Sequence, residues 1–412
     1  MKYLIIGGGA AGTTAAETIR AHDKKADITI VSDEPHRYYS RIMLSKPNFF
    51  LGKMPFDSIW LKDNAWYKKN KITFVSGRKA VSLDTHKKTI VLDDGIELNY
   101  DKLLIAVGGG ARTLDVPGSD KKNFFYLRTL DDARSIIARI KHSKKAIVIG
   151  GGFIGFEMCD MLHSAGIEVT VIVRKPYFWQ TALDEESGHI IEKALEKNKI
   201  CIIRNAQVKE IIGDTAASGV KLSDGTMIEG DMIIAGVGIT YPVGWVKNAD
   251  ITTASGILAN EYLETSARDV WTAGDVAEFT DVTLGERVQL SNWANAQQQG
   301  KTAALNMLAS SGIGSRMPFR LVSFYTAYGF GTAVAFAGDV RVTQDRTVIT
   351  RRFPELNACV RLLAKDGRLV GATLVNHTRE LSAIAKLIGN GTIITGKEQE
   401  LSDPIFNLTS LT

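Results

Sequence analysis

Two stretches decide the fold: YLIIGGGAAG at residues 3–12 and AIVIGGGFIG at residues 146–155. Each begins with four apolar residues, passes through three glycines, Gly7 to Gly9 or Gly150 to Gly152, and reaches a further glycine, Gly12 or Gly155. A short apolar run stopped by glycine reads as a buried strand, and the glycine cluster as a tight turn into a helix. Helices are expected through Ile19 and Ala165, then second β-branched runs at Ile28 to Val31 and Val169 to Val173. The copies start 143 residues apart, so the chain carries two separate βαβ beginnings.

The spacing has a chemical reading. Glycines at these positions permit the turn, let backbone approach a pyrophosphate, and let the helix pack closely, while the helix N-terminus favours phosphate charge. In the first copy Glu34 stands 22 residues after Gly12, where a carboxylate can accept hydrogen bonds from ribose hydroxyls. In the second copy the equivalent place reads Val173-Arg174-Lys175. Two cations there suit a 2′-phosphate and lean towards NADPH, whereas a final glycine, Gly155, leans towards NAD. The choice of nucleotide stays open.

Composition excludes several other classes. Over 412 residues, 45% are hydrophobic and 23% charged, which rules out a disordered, collagen-like or coiled-coil chain. Lys plus Arg number 50 against 45 Asp plus Glu, a net +5 that gives a mild positive field suited to an acidic protein partner and no case for nucleic acid. The three cysteines, Cys159, Cys201 and Cys359, form no CxxC pair and no disulfide framework, so a reducing cytoplasm is the expected setting. The opening apolar run stops at Ile6, too short for a signal segment, and no run approaches the length of a membrane span.

Between the two fingerprints, strands are expected at Ile72 to Val75, Thr89 to Leu92 and Leu103 to Val107. A second strand-rich tract runs from Ile200 through Val208, Val220 to Leu222 and Met232 to Ala235. Phe319 to Gly331, Ala358 to Ala364, Leu369 to Val375 and a helical Arg379 to Leu387 suggest a small α+β domain. The expected organisation is α/β. A discontinuous dinucleotide-binding domain would comprise residues 1–113 and 244–315, with a second dinucleotide-binding domain inserted at 114–243 and a small C-terminal α+β domain at 316–412.

The motif order resembles the two-dinucleotide FAD-dependent pyridine-nucleotide oxidoreductases, in the branch of rubredoxin reductases, oxygenase-coupled ferredoxin reductases and nitrite-reductase flavoproteins. The likeness covers residues 1 to about 315 and is carried by GGGAAG, YYSRIMLSK (Tyr38 to Lys46), YDKLLIAVGGG (Tyr100 to Gly110) and YLRTLDDA (Tyr126 to Ala133). GGGFIGFE, TAGDVAE (Thr272 to Glu278) and WANAQQQG (Trp293 to Gly300) complete it. It implies that Gly7, Gly9, Ala11, Gly12 and Glu34 hold FAD, with Arg41 and Lys46 on the flavin side, Asp275 on the ribitol or pyrophosphate, and Trp293 opening a helix that faces the flavin. Ala106, Gly108, Arg128, Gly274 and Gly238 are further implied cofactor contacts. Gly150, Gly152, Phe153, Ile154, Gly155 and Arg174 fall to the nicotinamide nucleotide, and Glu157 sits near the nicotinamide, with Lys46 and Glu157 as the catalytic pair. A plain salt bridge for Lys46 and Glu157, and core packing for Trp293, are the competing readings.

Departures from the pattern narrow the chemistry. Disulfide-reducing relatives carry a redox thiol either in a CxxxxC after the first βαβ unit or in the segment that here runs Ser40 to Ser45, and neither place holds cysteine. The strand signature usually reading ATG is Ala106-Val107-Gly108 here. The resemblance therefore implies an enzyme with FAD and NAD(P)H and no metal, moving hydride from nicotinamide to FAD and then electrons to rubredoxin, ferredoxin or flavodoxin. A flavoprotein subunit acting with a separate reductase subunit in a nitrite-reductase-like assembly, and a redox-sensing flavoprotein, are the alternatives. A homodimer stays open, and no nucleic-acid or membrane partner is expected.

Overall fold

The two apolar runs become the central strands of two separate parallel sheets. In the computed structural model, which describes residues 1–411, the first sheet has the order Val270–Thr272, Lys102–Ile105, Lys2–Ile6, Asp27–Ser32, Ile72–Ser76. The second has the order Cys201–Ile203, Glu168–Ile172, Lys145–Ile149, Met232–Ala235, Phe124–Tyr126. Neighbours in both sheets pair in parallel. Parallel strands are covered on both faces, and Leu4, Ile5, Ile147 and Val148 are accordingly buried to 2% exposure or less. In each sheet the chain leaves its central strand to one side and returns on the other, so the topological switch lies at the glycine end of Lys2–Ile6 and of Lys145–Ile149.

Three helices position the glycine turns: α1 (Ala10–His22), α2 (Phe153–Ser164) and α3 (Trp293–Ala309). The repeat runs deeper than the glycine motifs. Each sheet has its own three-stranded antiparallel appendage, Ala80–Asp84, Thr89–Leu92 and Glu97–Asn99 in one case, and Val208–Ile212, Gly219–Leu222 and Met227–Glu229 in the other.

The chain divides into two compact units. One comprises Met1–Ser40, Asp57–Gly110 and Thr240–Ser323; the other comprises Arg41–Phe56, Ala111–Ile239 and the run beginning at Phe324. The second unit therefore holds the nucleotide-type sheet around Lys145–Ile149 together with an antiparallel sheet ordered Phe324–Gly329, Thr332–Gly338, Arg368–Val375, Ala358–Lys365, Arg346–Phe353. The helix Leu381–Gly389 packs on Thr332–Gly338 and Arg368–Val375. Among the described residues no helix is long and apolar enough to cross a membrane.

Three local expectations shift. The strand read from Phe319 begins at Phe324, because the Phe319 ring packs edge-on to Phe279 at 5.2 Å in the core of the first unit. The helix read from Arg379 begins at Leu381, after a short 3-10 turn at Thr378–Glu380. The strand Arg346–Phe353 was hidden by its arginines, two of which the fold buries with partners: Arg346 donates to Asp339 at 2.8 Å and Arg351 to the Phe406 carbonyl at 2.8 Å.

A partly buried ion cluster ties the first sheet together. Asp269, just before Val270–Thr272, accepts from Lys102 of the neighbouring strand and from Lys88, and the Lys102 ammonium lies 5.7 Å from the centre of the Trp271 ring. Burial raises the Asp269 carboxyl, but the two lysines outweigh it and hold the group below the usual carboxylate range. Such a group stabilises fully above its ordinary range and loses that contribution as pH falls below about 4. Asp269→Asn, which strands the 8%-exposed Lys102, should therefore cost about 1–3 kcal/mol at neutral pH. Urea unfolding should show this gap narrowing as the medium is acidified through the carboxylate range.

Candidate functional site

Both glycine turns are built by close backbone approach. Gly7 has φ +119° and Gly150 φ +123°, a region that side chains disfavour. A Cβ on Gly7 would stand 2.1 Å from the Ala106 carbonyl oxygen, and one on Gly150 would stand 2.3 Å from that of Gly236. Gly12 and Gly155 are under a tighter constraint. A Cβ on either would lie 1.9 Å from the carbonyl oxygen of Gly7 or Gly150, so each helix is pressed onto its own turn.

The third glycine of each turn behaves differently. Gly9 and Gly152 are the N-cap residues of α1 and α2, extended in backbone, with no side-chain cap, and a Cβ on either meets nothing within 4 Å among the described residues. Each turn thus presents a helix N-terminus with its first N–H groups uncapped by a side chain, beside open space that only a missing side chain keeps open. This is the geometry a pyrophosphate requires, and the two cradles fit the two nucleotides.

Around the first cradle, α3 lies against α1 so tightly that a Cβ on Gly300 would sit 2.1 Å from the Ala11 carbonyl oxygen. The buried Gln299 accepts from the Gly274 N–H at 2.7 Å, and a Cβ on Gly274 would touch that of Ala11 at 3.3 Å. Gly7, Gly9, Ala11, Gly12, Ala106, Gly274 and Asp275 are thereby gathered at one sheet end, with Gly108 at φ +65° just past the strand Lys102–Ile105. Glu34 follows the second strand and accepts from the Tyr39 hydroxyl at 2.6 Å. Trp293 stacks on Tyr38 at 5.7 Å with the planes 10° apart, and burial pushes the Tyr38 phenol far up.

In the second unit, Ile154 packs where a Cβ on Gly236 would lie 3.1 Å away, and the Gly238 carbonyl accepts from the Arg112 N–H at 3.0 Å. The Phe153 ring joins Trp179, Tyr325 and Phe336 at centroid distances of 5.1, 5.0 and 5.2 Å. Arg174 and Lys175 are exposed beyond the end of Glu168–Ile172. Arg41 donates to the Arg128 carbonyl, which fixes the start of a 3-10 turn, Arg41–Ser45, next to the Thr129-capped helix Leu130–Ile140.

The end of that turn meets α2. Lys46 forms an ion pair with Glu157 Oε1, and the Ser45 hydroxyl donates to Glu157 Oε2. One helical turn on, Asp160 accepts from the Phe330 N–H at 3.3 Å. Burial pushes the Asp160 carboxyl above the usual range, and the Phe330 contact only partly offsets it. The sequence motifs point to Lys46 and Glu157 but not to Ser45, Tyr39 or Gln299. All three lie in or beside those motifs, and their roles depend on contacts that sequence order does not display.

Residues 1–300 match the family described as pyridine nucleotide-disulphide oxidoreductase. The chain belongs to this family. As a member it is an oxidoreductase with FAD and NAD(P)H as its cofactors. It is 30% identical over 389 residues to a nitrite reductase [NAD(P)H] of Bacillus subtilis, a match that covers 94% of this chain and 47% of that protein. It thus spans about half that relative's length. It is 32% identical over 305 residues to the NADH-rubredoxin oxidoreductase of Clostridium acetobutylicum, covering 74% of each. Among solved structures, the ferredoxin reductase for the CYP199A2 system from Rhodopseudomonas palustris is similar with a TM-score of 0.90 and 26% identity, covering 99% of both chains.

The family fold makes the glycines separable by experiment. Gly9→Ala and Gly152→Ala place a methyl in open space, so both should fold with unchanged melting temperature. Gly152→Ala should raise the KM for NAD(P)H by about tenfold while FAD content is kept. Gly12→Ala and Gly155→Ala drive a Cβ into a backbone carbonyl and should lower the melting temperature or abolish soluble expression. Circular dichroism melts and flavin content check each outcome.

Proposed function

We propose that the chain takes electrons from NAD(P)H and delivers them, by way of FAD, to a small acidic one-electron carrier of the rubredoxin, ferredoxin or flavodoxin type. The observation that carries this reading is a pair of equivalent glycine cradles in one chain, together with a nucleotide-side cluster in which serine, Ser45, stands in the segment where disulfide-reducing relatives keep a thiol. Cys159 and Cys359 are buried, and burial pushes both thiols up, which removes them from thiolate chemistry. Bound FAD would supply the conversion of a two-electron donor into single-electron deliveries.

In this reading Gly7, Gly9, Ala11, Gly12 and Glu34 hold FAD, with Ala106, Gly108, Gly274, Asp275 and Trp293 around it and Arg41, Lys46 and Arg128 completing the flavin side. Gly150, Gly152, Phe153, Ile154, Gly155 and Gly238 hold the nicotinamide nucleotide. Lys46 and Glu157 form the charged pair that orients it. Residues 1–113 and 244–315 form the FAD domain, 114–243 the NAD(P) domain, and 316–412 the C-terminal domain. Arg174 and Lys175 support NADPH as donor, since both stand exposed where a 2′-phosphate would be met. The cytoplasm is its proposed location, and the mild net charge of +5 supports an acidic carrier.

A second reading is favoured by the Bacillus subtilis nitrite reductase, of which this chain spans 47%. There the flavoprotein would pass electrons to a separate subunit. Anaerobic stopped-flow absorbance of the yellow protein distinguishes the two. Rapid bleaching by NAD(P)H followed by rapid recovery with rubredoxin, ferredoxin or flavodoxin is expected. Bleaching that none of these carriers reverses would favour the separate-subunit or redox-sensing readings, and no bleaching with either nucleotide would overturn the proposal. Arg174→Glu should raise the KM for NADPH by about tenfold and leave NADH nearly unchanged, and equal effects on both would remove the 2′-phosphate assignment.

A further inference from the structure

Glu157 has two carboxylate oxygens, and they are held by unequal partners. Lys46, on Oε1, has 37% of its side chain exposed, whereas Glu157 itself has 12%. A long ammonium side chain that far into solvent is screened by salt and loses entropy by staying in one geometry. Ser45, on Oε2, is 6% exposed and ends the Arg41–Ser45 turn, whose Leu44 is 2% exposed. Its hydroxyl sits on a short side chain that is buried along with the end of the turn. A hydrogen bond to a carboxylate is among the stronger kinds and gains strength in a water-poor setting.

The surroundings sharpen the contrast. Asp160, on the same helix, carries a second carboxyl that burial pushes up, with the Phe330 N–H, His163 and Lys46 acting in the opposite direction. The hairpin around Phe330 is tied to Asp160 through its N–H. Ser45 is thus the contact that sets which way the Glu157 carboxylate faces, and Lys46 neutralises its charge without fixing its direction.

We propose that Ser45 is a positioning residue for nicotinamide oxidation: it holds Glu157 Oε2 so that Oε1 remains directed at Lys46 and the nucleotide side of the turn. The inference rests on the reading that Glu157 serves the nicotinamide.

The test uses the FAD-loaded protein and its Ser45→Ala, Ser45→Thr and Glu157→Gln variants. Melting temperature and FAD content should match wild type in Ser45→Ala. The limiting rate of flavin reduction by NAD(P)H should fall by about tenfold, with KM changed less than about twofold. Ser45→Thr restores the hydroxyl and should recover most of the rate. Added salt should deepen the Ser45→Ala deficit, since only the screened Lys46 contact then remains, and should leave wild type nearly unaffected. Combined with Glu157→Gln, Ser45→Ala should add little further loss. If Glu157→Gln slows reduction while Ser45→Ala leaves the rate unchanged, the role of Ser45 is overturned and the site reading stands. If Glu157→Gln itself has no effect, the site reading fails and takes the role of Ser45 with it.

Discussion

The whole arrangement depends on one close approach made twice. In each half, the helix that follows the central strand is pressed onto the turn that precedes it, with room for a hydrogen and not for a methyl between Gly12 and Gly7 or between Gly155 and Gly150. This contact fixes the helix axis relative to the sheet end, and so fixes where the uncapped N–H groups point. A looser turn would keep the strand and the helix and lose the direction of the helix dipole at the place where a phosphate charge must be met. The remaining features of each half depend on that placement: the topological switch, the return strand at Ala106 or Gly236, and the acid or base beyond the second strand.

Much of this was legible in the amino-acid order, for a physical reason. A parallel strand buried on both faces needs an unbroken apolar run, and Tyr3 to Ile6 and Ala146 to Ile149 are such runs. A turn with a positive φ and no space for a Cβ admits only glycine, so the two cradles announce themselves. Lys46 and Glu157 were legible only through a family likeness. They lie more than a hundred residues apart, and no local pattern encodes their meeting. Ser45 was illegible for the same reason, and because a serine beside a lysine carries no signal of its own. The strand Arg346–Phe353 escaped because sequence patterning equates arginine with surface, whereas here Arg351 is fully buried against the Phe406 carbonyl. Long-range pairing chemistry, rather than propensity, decides such segments.

The charged cluster at α2 shows how neutral and ionic contacts divide a task. An ammonium lowers the electrostatic cost of a half-buried carboxylate, but its reach and exposure leave the geometry loose. A hydroxyl supplies less charge stabilisation and far more direction. The two acids on this helix, Glu157 and Asp160, each have a neutral donor of their own. Ser45 serves one, and the Phe330 N–H serves the other.

The two cradles, alike in their turns, are closed by different materials. Around the first, Ala11, Gly274 and Gly300 bring backbone against backbone, with Gln299 hydrogen-bonded inside. Such packing has no side-chain torsions to rotate and resists rearrangement. Around the second, the neighbours of Phe153 are Trp179, Tyr325 and Phe336, and Trp179 sits at φ +52° with its indole N–H buried and without a hydrogen-bond partner among the described residues. Aromatic rings can shift by rotation about a single torsion, and a strained residue with an unmet donor gains from a rearrangement that relieves it. The same turn is therefore used twice, closed by backbone packing in one half and by aromatic side chains in the other.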